Sequence, residues 1–299
     1  MTAKISVVIN TLNEEKNLPF ALASVRTWVD EIVVVDMYSD DRTVEIAREF
    51  GAKVVFHERV GFADPARAFA LEQASGEWIL MLDADEMIPP PLSKALLKLA
   101  AGSDADVVEV HRLNYFFGAP LMHSYSGPRK DHYPRFFRKG HIVATPAIHN
   151  FFHPSPGSRV FDLSYEPGLA IVHLAYVDSR DFIEKLDRYT DIEARQAFER
   201  GERAKFWSVA FKAAKVLGGR YLITGGFRDG WRGLYVSLLY TFYRVVAIAK
   251  LYELTALGGR EQIEAGYRQE AERVLKAYGE PLVPLSRSSA EASASHGRE

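Results

Sequence analysis

No cysteine occurs among the 299 residues, which excludes disulfides, thiolate metal sites and thiol nucleophiles. That absence fits a reducing, cytoplasmic setting. Net charge is nearly lacking as well, at −2 near neutrality, so no global field points to nucleic acid, and none is expected as a partner. Missing too are an internal repeat and a run of about 20 uninterrupted apolar residues long enough to span a bilayer. Met1-Thr2-Ala3-Lys4 runs straight into a strand-like segment, and the expectation is of no signal peptide or amino-terminal anchor. What the chain does have is 47% hydrophobic content, enough to bury one α/β core with an appendage.

Three apolar runs end in polar residues. Ile5-Ser6-Val7-Val8-Ile9 leads into Asn10-Thr11-Leu12-Asn13-Glu14-Glu15, and Ile32-Val33-Val34-Val35 leads into Asp36 and the turn Tyr38-Ser39-Asp40-Asp41. Trp78-Ile79-Leu80-Met81-Leu82 leads into Asp83-Ala84-Asp85-Glu86. Short continuous apolar runs read as strands buried on both faces, and in open parallel sheets ligands gather beyond the carboxyl ends of such strands. Two acids at alternate positions suit a hard divalent cation, which takes oxygen ligands and leaves room for diphosphate oxygens. An Asp-x-Asp alone also fits an acidic loop that closes a strand.

Taken in order, these three motifs resemble the inverting glycosyltransferases of family 2, with the GT-A fold, and among them the bacterial enzymes that add a sugar to the lipopolysaccharide core. The resemblance is close through the acidic motif and looser as far as Tyr189. It implies an α/β fold with a mostly parallel, doubly wound, Rossmann-like sheet. Residues 1–190 would form the catalytic domain that binds nucleotide-sugar and acceptor, 191–283 a helical membrane-associating appendage, and 284–299 a disordered, small-polar tail. The implied reaction moves a sugar from a nucleotide-diphosphate donor, UDP-sugar favoured, to a lipid-linked saccharide or lipopolysaccharide-core acceptor, with Mg2+ or Mn2+ as cofactor. A polyprenyl-phosphate glycosyltransferase and a non-catalytic nucleotide-sugar-binding protein are the alternatives.

Roles follow from the same resemblance. Asp85 is the expected metal ligand, and Asp83 is assigned to the ribose and as a second metal contact. Asp36 is expected to meet the base, with Thr11 and Glu14 lining the base and ribose pocket. Arg67 stands where the family often carries an arginine facing the nucleotide, although Ala66 and Ala68 replace its usual Gln and Asn neighbours. His173, after the run Leu169-Ala170-Ile171-Val172, is either a late metal ligand or a core histidine bonded to backbone. Asp131 precedes an Arg-x-Phe-Arg-like run and is the first candidate for general base, while Arg135 and Arg138 are candidates for acceptor phosphate or for surface salt bridges. His149, within Ile148-His149-Asn150 where relatives often carry His-Glu, is the alternative base. His111, His123, His132, His141 and His153 receive no role.

Helices are expected near 18–29, 43–50, 65–74 and 91–100, with strands near 4–9, 31–36, 53–56, 78–83 and 106–112; beyond 113 the pattern turns irregular, and that region is expected to shape the acceptor side rather than add to the core. Asp178 to Arg203 returns to helical character. From Arg203 to Lys250 nine basic residues face a single acid, Asp229, a surplus of +8 interleaved with ten aromatics. Within it Leu234, Leu238, Phe242, Val245, Ala249 and Tyr252 recur at helical spacing, broken by Arg244, Lys250 and Glu253. That pattern reads as a helix lying on a membrane surface, peripheral on the inner face of the cytoplasmic membrane, or as a helix packed on the protein's own core.

Overall fold

The structure, a computed structural model, describes residues 3–59, 64–144, 152–205 and 207–278. In chain order β1 (Ile5–Thr11), α1 (Leu18–Val25), β2 (Glu31–Asp36), α2 (Thr43–Glu49), β3 (Lys53–Phe56), α3 (Asp64–Gln73) and β4 (Trp78–Asp83) alternate as expected. Short β5 (Glu86–Met87) and α4 (Pro90–Gly102) follow, then β6 (Val107–Phe116), β7 (Ala119–Pro120), β8 (His132–Arg138), β9 (Ile142–Ala144), β10 (Phe152–Pro154), β11 (Val160–Leu163) and β12 (Ile171–Tyr176). The remainder is helical: α5 (Ser179–Glu199), α6 (Ser208–Leu217), a π-helical turn Gly218–Ile223, a 3-10 turn Gly226–Asp229, α7 (Gly230–Ala256) and α8 (Gly259–Ala277).

One mixed, mostly parallel sheet carries the order β3-β2-β1-β4-β8-β6-β12-β5, with β7 and β11 also paired to β6. Strand alternation explains its two layers. Val7 and Ile9 of β1, with Leu80 and Leu82 of β4, pack with Leu18 and Leu22 of α1 and Leu92 and Leu96 of α4. Val8, Ile79 and Met81 point to the other face and meet Ala66 and Ala70 of α3. Successive side chains leave a strand on opposite faces, so a strand apolar at every position needs helices on both sides.

The chain after residue 113 departs from the expectation. β8 inserts antiparallel between β4 and β6, and β12 extends the sheet parallel to β6. Phe136 and Phe137 of β8 are buried in opposite layers, and Phe136 stacks on Trp78 with centroids 4.5 Å apart. This region therefore adds core strands. Residue 190 lies inside α5, which runs unbroken from the sheet unit into the helical region.

α7 packs along α5 and α6. Gly233, Val236, Ser237, Ala247, Ile248 and Leu251 form its buried face. The apolar stripe anticipated for this helix lies on the opposite side: Leu234, Leu238, Phe242 and Tyr252 are 40 to 52% exposed. Trp231, Phe227, Leu222 and Ile223 beside it, and Trp207 and Phe211 of the α6 segment, are exposed too. By length and composition Gly226–Ala256 is long and apolar enough to cross a membrane. Yet α5 lies against it with Asp187 and Asp191 on Lys250 and Glu193 on Arg244, and a crossing would carry those carboxylates into hydrocarbon.

Asp229, the single acid of the basic stretch, clamps the helical region to the sheet unit. Its carboxylate accepts the backbone N–H groups of Met122, His123 and Ser124 at 2.9 to 3.2 Å. Close by, a Cβ on Gly233 would lie 1.8 Å from the Gly226 carbonyl oxygen. Gly266, inside α8, has nothing within 4 Å of such an atom. Gly233→Ala should therefore lose about 1–3 kcal/mol through overpacking, whereas Gly266→Ala should gain about 0.5–1 kcal/mol from helix propensity. Urea denaturation of both variants checks the pair, and equal effects would contradict the close approach.

Candidate active site

A cavity of about 830 Å³ opens beyond the carboxyl ends of β1 and β4 and continues between β8, β12, α5 and α7. Its sheet-side wall contains an alternating chain of charges. Arg67 meets Asp83 at 2.7 Å, Asp83 meets Arg135 at 3.1 Å and Arg135 meets Glu86 at 3.0 Å; Arg112 then bridges Glu86 at 3.2 Å and Asp131 at 3.1 Å. Three acids alternate with three arginines. Burial opposes ionisation of Asp83, but Arg67, Arg135 and Arg112 outweigh it and hold its carboxyl far below the usual range.

Both Asp83 oxygens are thus occupied, Oδ1 by Arg67 and Oδ2 by Arg135. A metal contact by Asp83 would have to share an oxygen that an arginine already bonds. Arg135, which lines the cavity, places Nη2 on both Asp83 and Glu86. Arg138 lies at the other end of β8, over the Trp78 ring at 4.7 Å and paired with Glu77, and it does not line the cavity.

Asp85, in the turn after β4, faces His173 with Oδ2 3.4 Å from Nε2. Burial works against the Asp85 carboxylate and His173 more than offsets it, so its pKa lies below the ordinary value. His173 sits in the middle of β12, opposite Glu86 and beside Asn114, not at a strand end. The Asn114 amide nitrogen donates to the Ser126 carbonyl at 2.8 Å and to Asp131, which turns its oxygen toward His173 Nδ1, 2.6 Å away. Nδ1 donates there, and Nε2 is left facing Asp85. Among the described residues no cluster of three or more His, Asp or Glu side chains could hold a metal, but Mg2+-like ions are bound by one or two carboxylates together with substrate phosphates. Asp85 and the oriented His173 fit that need, with Asn114 as the outer partner that fixes the ring.

Glu14 also lines the cavity. Burial, and then the charge of Asp85, raise its pKa from 4.5 to about 7. Asp36 and Thr11, by contrast, do not line it. The fully buried Asp36 carboxylate accepts Thr11 Oγ1 at 2.8 Å, Ser39 N at 2.8 Å and Ser39 Oγ at 2.6 Å, a set of bonds that meets its need away from water. In this arrangement Asp36 braces the ends of β1 and β2 through Thr11 and Ser39. Asp131 is buried on the cavity wall, gripped by Arg112 and Asn114. His149 lies outside the described residues.

Three contributors went unassigned in the sequence. Asn10 lines the cavity with both side-chain polar atoms buried and unpartnered among the described residues; its signal was a polar residue closing β1. Arg112 and Asn114 alternate along an apolar strand, which marks one face of β6, but nothing local shows which face meets the cavity.

The family model for glycosyl transferase family 2 matches residues 6–162. The chain belongs to glycosyl transferase family 2. Full-length relatives of this family 2 transferase include an uncharacterized glycosyltransferase of Rickettsia bellii, 27% identical over 85% of this chain and 88% of the relative. The lipopolysaccharide core biosynthesis glycosyltransferase LpsC of Rhizobium meliloti is 26% identical over 87% of this chain and 96% of the relative. Among solved structures, S. aureus TarS 1-349 in complex with UDP is 19% identical over 82% of this chain and 90% of that one, with a TM-score of 0.45. Glucosyl-3-phosphoglycerate synthase of Mycobacterium tuberculosis, in complex with Mg2+ and UDP, is 28% identical over 38% of this chain and 44% of that one, with a TM-score of 0.32.

The raised Glu14 pKa has a stability consequence with a definite sign. Below pH 4.5 the carboxyl is protonated in folded and unfolded chains alike; between 4.5 and about 7 the folded state holds the proton more tightly, so stability falls as pH rises through this window. Glu14→Gln keeps the neutral shape. In metal-free protein its melting temperature should exceed wild type at pH 8 and match it at pH 4.5. A variant with the same pH slope as wild type would show that Glu14 is not the group responsible.

Proposed function

We propose that this transferase is an inverting, divalent-metal-dependent enzyme that moves a sugar from a UDP-sugar to a lipopolysaccharide-core or other lipid-linked saccharide at a membrane surface. The observation that carries the reading is one cavity holding an oriented Asp85–His173 pair and a separate buried carboxylate, Asp131, on its wall. The lipopolysaccharide-core role named for LpsC supports the acceptor class.

Asp85 and His173 would hold the Mg2+ or Mn2+, which when bound supplies Lewis-acid stabilisation to the departing diphosphate. Asn10, with its unpartnered amide, lies where it can bind the nucleotide, and Asp83 is braced by Arg67 and Arg135 to face the ribose. In the displacement the acceptor hydroxyl oxygen bonds to the anomeric carbon and the carbon–oxygen bond to the β-phosphate breaks. The bonding pair leaves on UDP. Asp131 takes the hydroxyl proton, held in place for that by Arg112 and Asn114.

The exposed apolar stripe of α7 and its basic surroundings support the membrane part. Aromatic side chains with Lys and Arg beside them suit the headgroup region, and the carboxylates of α5 stay on the side that faces the protein. The helical region therefore rests on a membrane and does not cross it.

Two measurements test this. With Mn2+, a panel of UDP-sugars and truncated lipopolysaccharide core as acceptor, Asp85→Ala should abolish transfer and metal-enhanced UDP binding. Asp131→Asn should bind UDP-sugar normally and lose about 10² to 10⁴ in rate, the usual cost of removing a general base. Near wild-type transfer by Asp131→Asn would move the base elsewhere. For the membrane, full-length protein should bind anionic vesicles in a salt-sensitive manner, and replacing Trp231, Leu238 and Phe242 together by Ser should release it. Point changes are preferred to truncation because α5 and the cavity both need α7. Binding unchanged by the triple variant would refute the interfacial face.

A further inference from the structure

The half of the cavity away from Asp85 is walled by the helical region, and it holds cations that the displacement does not use. Arg220 belongs to the π-helical turn Gly218–Ile223, an irregularity that often marks functional sites. Its guanidinium carbon lies 3.7 Å from the centroid of the Tyr240 ring and 5.5 Å from that of Tyr125. Aromatic faces hold it in place, yet Nη1 is buried with no hydrogen-bond partner among the described residues. Leaving a charged donor desolvated and unmatched is costly. A site of that kind is completed by a ligand.

Lys130 lines the same cavity. Its ammonium reaches the Thr224 carbonyl oxygen at a marginal 3.5 Å and lies 6.0 Å from the Tyr125 ring. Of the other cations on this wall, Arg244 pairs with Glu193 at 2.5 Å, Lys185 lies 3.4 Å from Asp181, and Arg188 lies over its neighbour Tyr189 with its guanidinium carbon 5.2 Å from the ring centroid. Arg220 and Lys130 have no carboxylate partner among the described residues. Two unneutralised cations flank one tyrosine, Tyr125, at the cavity wall.

We propose that Arg220 and Lys130 form an anion subsite for a phosphoryl group carried by the acceptor. The proposal rests on the transferase reading for the substrate that fills the cavity. A guanidinium donates N–H bonds to phosphate oxygens, and an ammonium adds a point charge. Lys130 directly precedes Asp131, so the bound phosphoryl group lies beside the carboxylate that faces the attacking hydroxyl. Leu222 and Ile223, in the same turn as Arg220, are 64% and 83% exposed, which sets the subsite under the apolar surface where a lipid phosphate would arrive. The phosphate is therefore either a substituent of the acceptor sugar or the headgroup of its lipid anchor.

The test uses full-length protein saturated with UDP and Mn2+, titrated calorimetrically with inorganic phosphate, with glucose 6-phosphate and with monomeric dihexanoyl phosphatidic acid. Wild type should bind phosphate. Arg220→Gln and Lys130→Gln should each weaken that binding about tenfold or more, with partial recovery in Arg220→Lys, while UDP affinity is retained. Tighter binding of the hexose phosphate assigns the group to the saccharide, and tighter binding of the phosphatidic acid assigns it to the anchor; either supports the subsite. Phosphate affinity unchanged in both Gln variants, or no binding in wild type, overturns it. Loss of UDP affinity in Arg220→Gln also overturns it, since the cation would then serve the donor. Should Arg220→Gln fold poorly by its melting temperature, Arg220→Lys and Lys130→Gln carry the same decision. Failure of wild type to bind UDP at all would instead sink the transferase reading.

Discussion

Six charges in alternating order, four of them buried and two half-buried, govern the chemistry of this chain. Arg67, Asp83, Arg135, Glu86, Arg112 and Asp131 come from α3, β4, β8, β5, β6 and the approach to β8, so their pairing joins the amino-terminal strands to the later ones. Each inner member touches two opposite charges, a distribution that lets desolvated ions remain ionised. Removing a central member such as Glu86 would strand Arg112 and Arg135, and breaking a buried pair costs about 3–5 kcal/mol. The chain of pairs also sorts the carboxylates by role. Glu86 is spent inside it, Asp83 lies within it on the cavity wall, Asp131 ends it with one face on the cavity, and Asp85 and Glu14 lie outside it. A metal would meet the carboxylates that the arginines leave available.

That sorting explains which site residues were legible. The ends of β1, β2 and β4 are local signals, since an apolar run followed by acids can be read within ten residues, and the parallel sheet followed from them. Asp85 and Asp131 do face the cavity. Arg138 misled because a strand delivers residues to both of its ends: antiparallel β8 brings Asp131 and Arg135 to the cavity and pairs Arg138 with Trp78, at the start of β4. Whether β8 inserts between β4 and β6 depends on long-range pairing, which sequence pattern does not encode locally. Asp36 was legible as a strand end, while its bonds to Thr11 and Ser39 join two strand ends 25 residues apart and could not be read locally.

The helical region was legible in composition and not in attachment. Its basic and aromatic character implied a surface, while the cavity wall it provides depends on contacts distant in sequence: Asp229 on the backbone of Met122 to Ser124, Arg232 on the Phe117 carbonyl and Gly233 against Gly226. α5 makes this attachment rigid because a single helix leaves β12, lines the cavity and then backs α7. The inner and outer faces of α7 therefore do separate jobs. Tyr240 and Tyr243 line the cavity, and Leu234, Leu238 and Phe242 face outward.

A cavity with carboxylates at one end and unneutralised cations at the other is suited to two substrates whose charges are disposed in opposite ways. At the acidic end a diphosphate would meet the Asp85 carboxylate and would be helped by an intervening cation, while burial, and then the charge of Asp85, raise the pKa of Glu14 beside it. At the basic end an anion binds the protein itself, through Arg220 and Lys130, with no metal between. Asp131 lies between these regions, adjoining Lys130 in sequence and tied through Asn114 to His173. One hydrogen-bonded line thus runs from the carboxylate that faces the acceptor to the imidazole beside Asp85. A single amide, whose orientation the Ser126 carbonyl fixes, joins the two ends of this line, so the Asp131 carboxylate and the His173 imidazole are positioned by one shared partner.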